Sequence, residues 1–382
     1  MLIKNGNVYL GNGHYEQGWD VLCEGQKIKA VGPSLSAEAG RGSQVIDAAG
    51  RDVYPGLVLG LSSMGVYSFS EILSGPDLNE TSSPVNPQLD VRDAYDLREV
   101  RMQRLARTGV TSYGLCPGAS PLIGGQVSLV HSWGQKSDDV FIKERIGVKG
   151  NFTKTVKDTF SPKNAFTTRM GMYGALDKAF RDAKIYMEAD GQPFDADKEV
   201  LARLLRRQIP FIVAAETESE IASVIELGEK YGLQLVLTGA YGMIPFAETI
   251  MGHGWHVMLG DTGYMASGLR CAADLATFVD LYRRGLQLSI TCSGDVGYPP
   301  AYEQLLWQAA RMSAAGAEGF EIMDMMTSTP AEALGAADLI GSLKPGAFAD
   351  IIITGGNPAV RFDCAPDLTI IAGEIIYARE VR

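Results

Sequence analysis

Four histidines come first, because imidazole is the side chain that most readily binds catalytic metals or carries protons near neutral pH. They are His14, His131, His253 and His256. The last two stand three residues apart in MGHGWHV (251–257), a spacing that could bring two ring nitrogens to one metal. The segment leads into an apolar run, however, and its rings read as polar groups satisfied at the start of a strand. His14 lies among short N-terminal strands. His131, near the end of an apolar run, is the one histidine expected to face a cleft. Other groups able to do chemistry also fall at the ends of apolar runs: Ser63, Lys149, Glu216, Tyr241, Asp261 and Asp295. Of these Asp295 is the foremost candidate for a functional group. Ser63 and Tyr241 read equally as packing residues, Glu216 and Asp261 as solvated carboxylates or helix caps, and Lys149 as a solvated cation or the partner of Glu216. Gln126 follows a Gly-Gly turn and could extend its amide into the cleft. Arg169, in TTRMGM (167–172), could bind a substrate carboxylate with two hydrogen bonds or form a surface ion pair. The five cysteines form no Cys-x-x-Cys pair, so neither a thiolate metal site nor a disulfide framework is expected.

The elements that must hold these groups follow from periodicity. Residues 1 to 54 break into short alternating runs separated by Gly, Asn and Pro, a β pattern. From about Leu57 the pattern changes to apolar runs of strand length separated by longer helical segments. The runs are Leu57–Leu61, Val110–Cys116, Gln126–Ser132, Ile146–Gly150, Ile209–Ala215, Leu233–Gly239, Trp255–Asp261 and Leu286–Cys292. Helices are expected in DAYDLREVRMQRLART, SEIASVIELGEKYG and ADLATFVDLYRRG. Eight strands with intervening helices predict an α/β chain folded as a (β/α)8 TIM barrel. A doubly wound sheet is the rival, but no Gly-x-Gly-x-x-Gly opens the first helix. After about Leu339 short strands return. The plan is therefore a barrel over 55–338 and a small β-sandwich domain from residues 1–54 plus 339–382. The polar, proline-bearing segment 70–90 reads as a loop over the barrel mouth.

Three stretches carry a family resemblance. VIDAAGRDVYPGLV (45–58) leads into the barrel, and TSTPAEALGAADLIGSLKPGAFADIIITGGNP (327–358) leads out of it. Both are similar to the corresponding segments of the amidohydrolase superfamily. GVTSYGLCPGASPLIGGQ (109–126) and TTRMGM resemble its imidazolonepropionase-like and cyclic-amide hydrolase branch. The resemblance implies a His-x-His pair at the end of the first barrel strand, where this chain has Leu61-Ser62-Ser63. It implies histidines after strands five and six, where Ala214 or Glu216 and Thr238-Gly239-Ala240 stand. It implies an aspartate working as general base at the end of strand eight, where Ser293 falls and Asp295, the candidate residual base, comes two residues late. The carboxylated lysine or glutamate that bridges the metals in such barrels has Lys149 as its candidate, with Asn151 reading as a lost carboxylate.

On that comparison no metal ligands and no cofactor are expected. A bound metal lowers the pKa of water from about 15.7 to about 7. Losing it makes formation of the nucleophile harder by up to about 12 kcal/mol, at ~1.36 kcal/mol per pKa unit, and one general base supplies only about 10²–10⁴-fold. The expectation is a non-catalytic paralogue, a pseudoenzyme that forms a homo-oligomer or pairs with an active amidohydrolase relative. The alternative is a metal-independent or divergent hydrolase of cyclic amides or lactones, in which a small molecule binds near Asp295. The net charge of −11, with no cluster of basic residues, argues against nucleic acid or an anionic membrane as partner. The N-terminus lacks the layout of a signal peptide, and a cytoplasmic location is expected.

Overall fold

The computed structural model describes residues 1–40, 42–66, 77–97, 102–189, 193–260, 273–292, 304–361 and 363–379. The N-terminal strands are β1 (Leu2–Gly11), β2 (His14–Glu24), β3 (Lys27–Gly32), β4 (Val45–Asp47) and β5 (Asp52–Pro55). β1 and β2 form a hairpin whose two-residue turn, Asn12-Gly13, has φ of 50° and 73°. That is the left-handed backbone which Asn-Gly adopts at little cost and which matches the twist of the strands. β4 and β5 run parallel to β1.

The chain enters the barrel through Gly56. A Cβ placed there would lie 2.1 Å from Thr111 Oγ1, so only glycine fits at this junction. Eight strands follow: β6 (Leu57–Ser62), β7 (Val110–Leu115), β8 (Ile123–His131), β9 (Phe141–Asn151), β10 (Phe211–Ala215), β11 (Leu235–Gly239), β12 (His256–Gly260) and β13 (Gln287–Thr291). Each overlaps one of the eight expected runs. They form one sheet in the order β13-β12-β11-β10-β9-β8-β7-β6. The two edges approach each other, with Leu61 N donating to Thr291 Oγ1 at 3.4 Å, so the barrel is nearly closed.

The strand pairing departs from the expected (β/α)8 plan in one respect. β8 runs antiparallel to both β7 and β9, with Ser112 opposite His131 and Gly125 opposite Lys149. Only residues 116–122 separate β7 from β8, too few for a parallel crossover, which needs a dozen or more. The third strand therefore presents its beginning, not its end, to the barrel mouth.

The helices are read best where their ends are chemically marked. Glu218–Tyr231 starts with a capping box between Thr217 and Glu220 and stops at Gly232, φ 65°. Its buried positions include Ile221, Val224, Ile225 and Leu227, the face expected from periodicity. Leu275–Arg283 is capped by Asp274. At DAYDLREVRMQRLART (93–108) a 3₁₀ turn over Val91–Ala94 overlaps the start of the segment, and its described end forms a helix at Met102–Thr108. Among the described residues no helix is long and apolar enough to cross a membrane.

The tail adds β14 (Ile351–Thr354), β15 (Leu368–Ile371) and β16 (Glu374–Ala378), with β14 antiparallel to β5. Both chain ends thus build one eight-stranded sheet. The pair of facing sheets expected of a β-sandwich is not found among the described residues. Below the barrel, Ala331, Leu334 and Ile340 join Val58, Val127, Leu129, Ile212, Val236 and Met258 in one apolar cluster. This fills the interior from the base, leaving chemistry to the strand ends at the mouth.

Candidate functional site at the barrel mouth

Side-chain direction along β9 follows from its glycines. A Cβ on Gly147 would meet Ile212 of the interior cluster, whereas one on Gly150 would meet the Phe211 ring in the outer layer. Alternation then turns Lys149 and Asn151 inward. Lys149 is 5% exposed, and its ammonium donates to Asn151 Oδ1. The Asn151 amide is fixed from its other side, because Nδ2 donates to the carbonyls of Pro121 at 2.8 Å and Gly118 at 3.3 Å. Asn151, read from the sequence as a lost carboxylate, is the residue that holds Lys149.

Ser63 and Cys116, both buried, place Oγ and Sγ 3.8 Å apart at the ends of the first two barrel strands. Glu216 is half-buried just past β10. Its backbone N–H donates to the Glu220 carboxylate at 3.1 Å, and its side chain lies against Gly239 at the end of β11. Tyr241 is buried and donates its hydroxyl to the Gly260 carbonyl, consistent with a packed ring. Asp261, Ser293 and Asp295 lie outside the described residues, as does part of the 70–90 loop.

Three expected cleft residues sit elsewhere. His131 lies at the opposite end of the barrel, because β8 is reversed. Its Nε2 is 3.3 Å from Asp350 Oδ2, with both side chains 3% exposed or less, and its ring meets Phe348 edge-on at 4.8 Å. The two atoms are within ion-pair distance but are not aligned as a hydrogen bond. Gln126 faces the outer wall, accepting from Arg203 Nη1 at 3.3 Å and donating to Gln88 O at 3.4 Å. Arg169 is exposed in the first turn of the helix Arg169–Glu188. The signal that could have reversed the third strand was the short 116–122 connection.

The other histidines complete the picture. His14 and His253 are paired with Glu16 and Glu229. His256 begins β12 at the barrel base, where burial pushes its pKa down. All four imidazoles of the chain are therefore away from the mouth. The described strand ends offer hydroxyl, thiol, amide and ammonium groups and a single carboxylate, Glu216. These do not fit a cage of imidazole and carboxylate donors at about 2.0–2.2 Å, and among the described residues no group of three or more His, Cys, Asp or Glu is arranged to hold a metal ion.

A cleft of about 540 Å³ opens at the barrel base, beside the N-terminal hairpin, lined by Tyr9, Asn12, Arg283, Glu321, Asp324 and Ser342 among others. Asp324 accepts from the Tyr9 hydroxyl at 2.8 Å and Asn12 N at 3.0 Å. Burial still raises its pKa. Arg283 grips Glu321 with two hydrogen bonds of 2.7 and 2.8 Å. In barrels of this type the base serves stability and the mouth serves chemistry, so the base cleft is not the candidate active site.

Comparison with known proteins agrees with the fold. The sequence model of the Amidohydrolase family matches residues 193–376. A dihydroorotase of Lactobacillus johnsonii is 53% identical over 57 residues, 15% of this chain and 12% of that protein. The amidohydrolase tasK of Hapsidospora irregularis is 22% identical over 89% of this chain, which spans only 38% of that protein. Among solved structures, an amidohydrolase from Thermotoga maritima MSB8 superposes with a TM-score of 0.89 at 25% identity, covering 99% of this chain and 100% of that one. Fold, flanking motifs and family match together support assignment of this chain to the amidohydrolase superfamily.

Proposed function

We propose that this protein keeps the amidohydrolase scaffold without the superfamily's metal chemistry, as a non-catalytic paralogue that binds a small molecule and regulates or pairs with an active relative. The location of its histidines carries this reading. None of the four reaches the mouth, and one of them, His131, is bound up with Asp350 at the base. Without imidazole donors the barrel has no means of making hydroxide at neutral pH in the usual way of its relatives. Element analysis by mass spectrometry on protein purified without chelator tests this directly. The expected content is well below one equivalent of zinc, manganese or iron per chain. One tightly held equivalent would defeat the proposal.

A second reading is favoured by the retention of Lys149 and Glu216 at the mouth. In it the barrel hydrolyses an activated cyclic amide or lactone without metal, with Asp295 as general base. Turnover of such a substrate that disappears in Asp295→Ala would favour this over the non-catalytic role, and turnover unaffected by that change would remove it.

A further inference from the structure

A barrel mouth without metal leaves Lys149 unexplained. Its ammonium is buried at 5% exposure, and its acceptor is a neutral amide oxygen, Asn151 Oδ1. Among the described residues it has no carboxylate partner. An ammonium has three N–H donors, so two remain to be used. Burying a cation against neutral groups is strongly unfavourable unless something compensates it. Its acceptor does not swing aside toward water, because the Asn151 amide is anchored by Gly118 and Pro121.

We infer that Lys149 is the anion anchor of a ligand pocket inside the barrel mouth, and that the ligand is a small molecule bearing a carboxylate. The inference rests on the metal-free reading above, since a metal cage would give this lysine a different task. Charge selects the class. The Lys149 ammonium supplies one positive charge, which balances one negative charge. A phosphate dianion is ordinarily met by several cations or a helix N-terminus. The carboxylate enters first, accepting from Nζ, and the remainder of the ligand points toward Glu216 and the mouth.

The test uses the full-length protein, wild type and Lys149→Met, with ligand-dependent thermal shift and calorimetry. The methionine matches the lysine stem in length and lacks its charge, so the variant is expected to melt at or above the wild-type temperature, confirming that it folds. The probes are acetate, butanoate and glutarate, each against its uncharged amide, and inorganic phosphate. At least one carboxylate is expected to bind the wild type saturably, at least ten-fold more tightly than its amide, with at least ten-fold loss in Lys149→Met. Equal binding of acid and amide, undiminished binding by Lys149→Met, no saturable probe, or preference for phosphate each overturns the inference. So does a carbamate carbon in ¹³C-bicarbonate spectra that vanishes in Lys149→Met. Metal content measured on the same samples separates the two proposals: stoichiometric metal defeats the metal-free reading, whereas metal-free protein indifferent to Lys149 defeats only this one.

Discussion

His131 and Asp350 join the third barrel strand to the small sheet, and breaking that junction is the most informative stability experiment. Asp350 Oδ1 accepts from Ala372 N at 2.8 Å, leaving Oδ2 beside His131 with both residues buried. Lys27 stacks on Phe348, its Nζ 3.1 Å from the ring centroid. Burial lowers the Lys27 pKa while Asp350 pulls it upward. Replacing His131 by Phe keeps a ring near Phe348 but leaves Asp350 Oδ2 buried without that polar neighbour, which costs about 1–3 kcal/mol, the range for a buried polar group left unsatisfied. Asp350→Asn keeps an acceptor for Ala372 and is expected to cost about 1–2 kcal/mol, the usual range for an impaired buried hydrogen bond. In the double variant the buried carboxylate stranded by His131→Phe is itself gone, so its cost should fall below the sum of the single costs by about 1 kcal/mol or more. Urea denaturation at pH 7, followed by circular dichroism and tryptophan fluorescence, measures all four proteins. Additivity within about 0.5 kcal/mol, or a His131→Phe cost under about 1 kcal/mol, would refute the idea that this pair fastens the two parts together.

Other outcomes follow from single features. Burial pulls the Glu321 pKa up, but the two Arg283 hydrogen bonds and the Glu318 N–H outweigh it and leave the pKa lowered. A lowered folded pKa contributes stability above the ordinary glutamate range, and that contribution is lost as pH falls through the folded value. Arg283→Met should therefore lower stability at pH 7 in urea denaturation. Its gap from wild type should shrink below about pH 4.5, the ordinary glutamate range, whereas a gap independent of pH would contradict the assignment. Thr217→Ala removes half of the capping box on Glu218–Tyr231 and should cost about 1 kcal/mol in urea denaturation. Cys23, buried and pushed up to about 11, should be about 1000-fold less thiolate than thiol at pH 8, so iodoacetamide should leave it unmodified in the folded protein on a mass-spectrometric map.

The fold was largely legible in the sequence because it is written in local signals. Each barrel strand is a short apolar run, since a strand covered on both faces needs no alternation. The helix Glu218–Tyr231 announces both ends through Thr217 and Gly232. The site was less legible because strand direction is a non-local property. Assigning β8 as parallel placed His131 at the mouth and hid its role at the base, although the brevity of 116–122 held the correction. Gln126 was misplaced for a related reason: its facing depends on register, which Gly125 opposite Lys149 fixes and no single strand reveals. Asn151 was judged by what it lacked, a charge, when its amide supplies Lys149 with an acceptor.

The reversed third strand also bears on how the chain reaches this structure. β7, β8 and β9 form a meander whose partners are close in sequence, while the remaining strands must wait for distant segments to be brought together. Short-range pairing closes smaller loops and loses less chain entropy in doing so. Residues 110–151 thus form a natural starting piece, onto which β10 to β13 add in parallel and β6 closes last. In pulse-labelled hydrogen exchange during refolding, amides of this meander should gain protection ahead of those in β11 and β12.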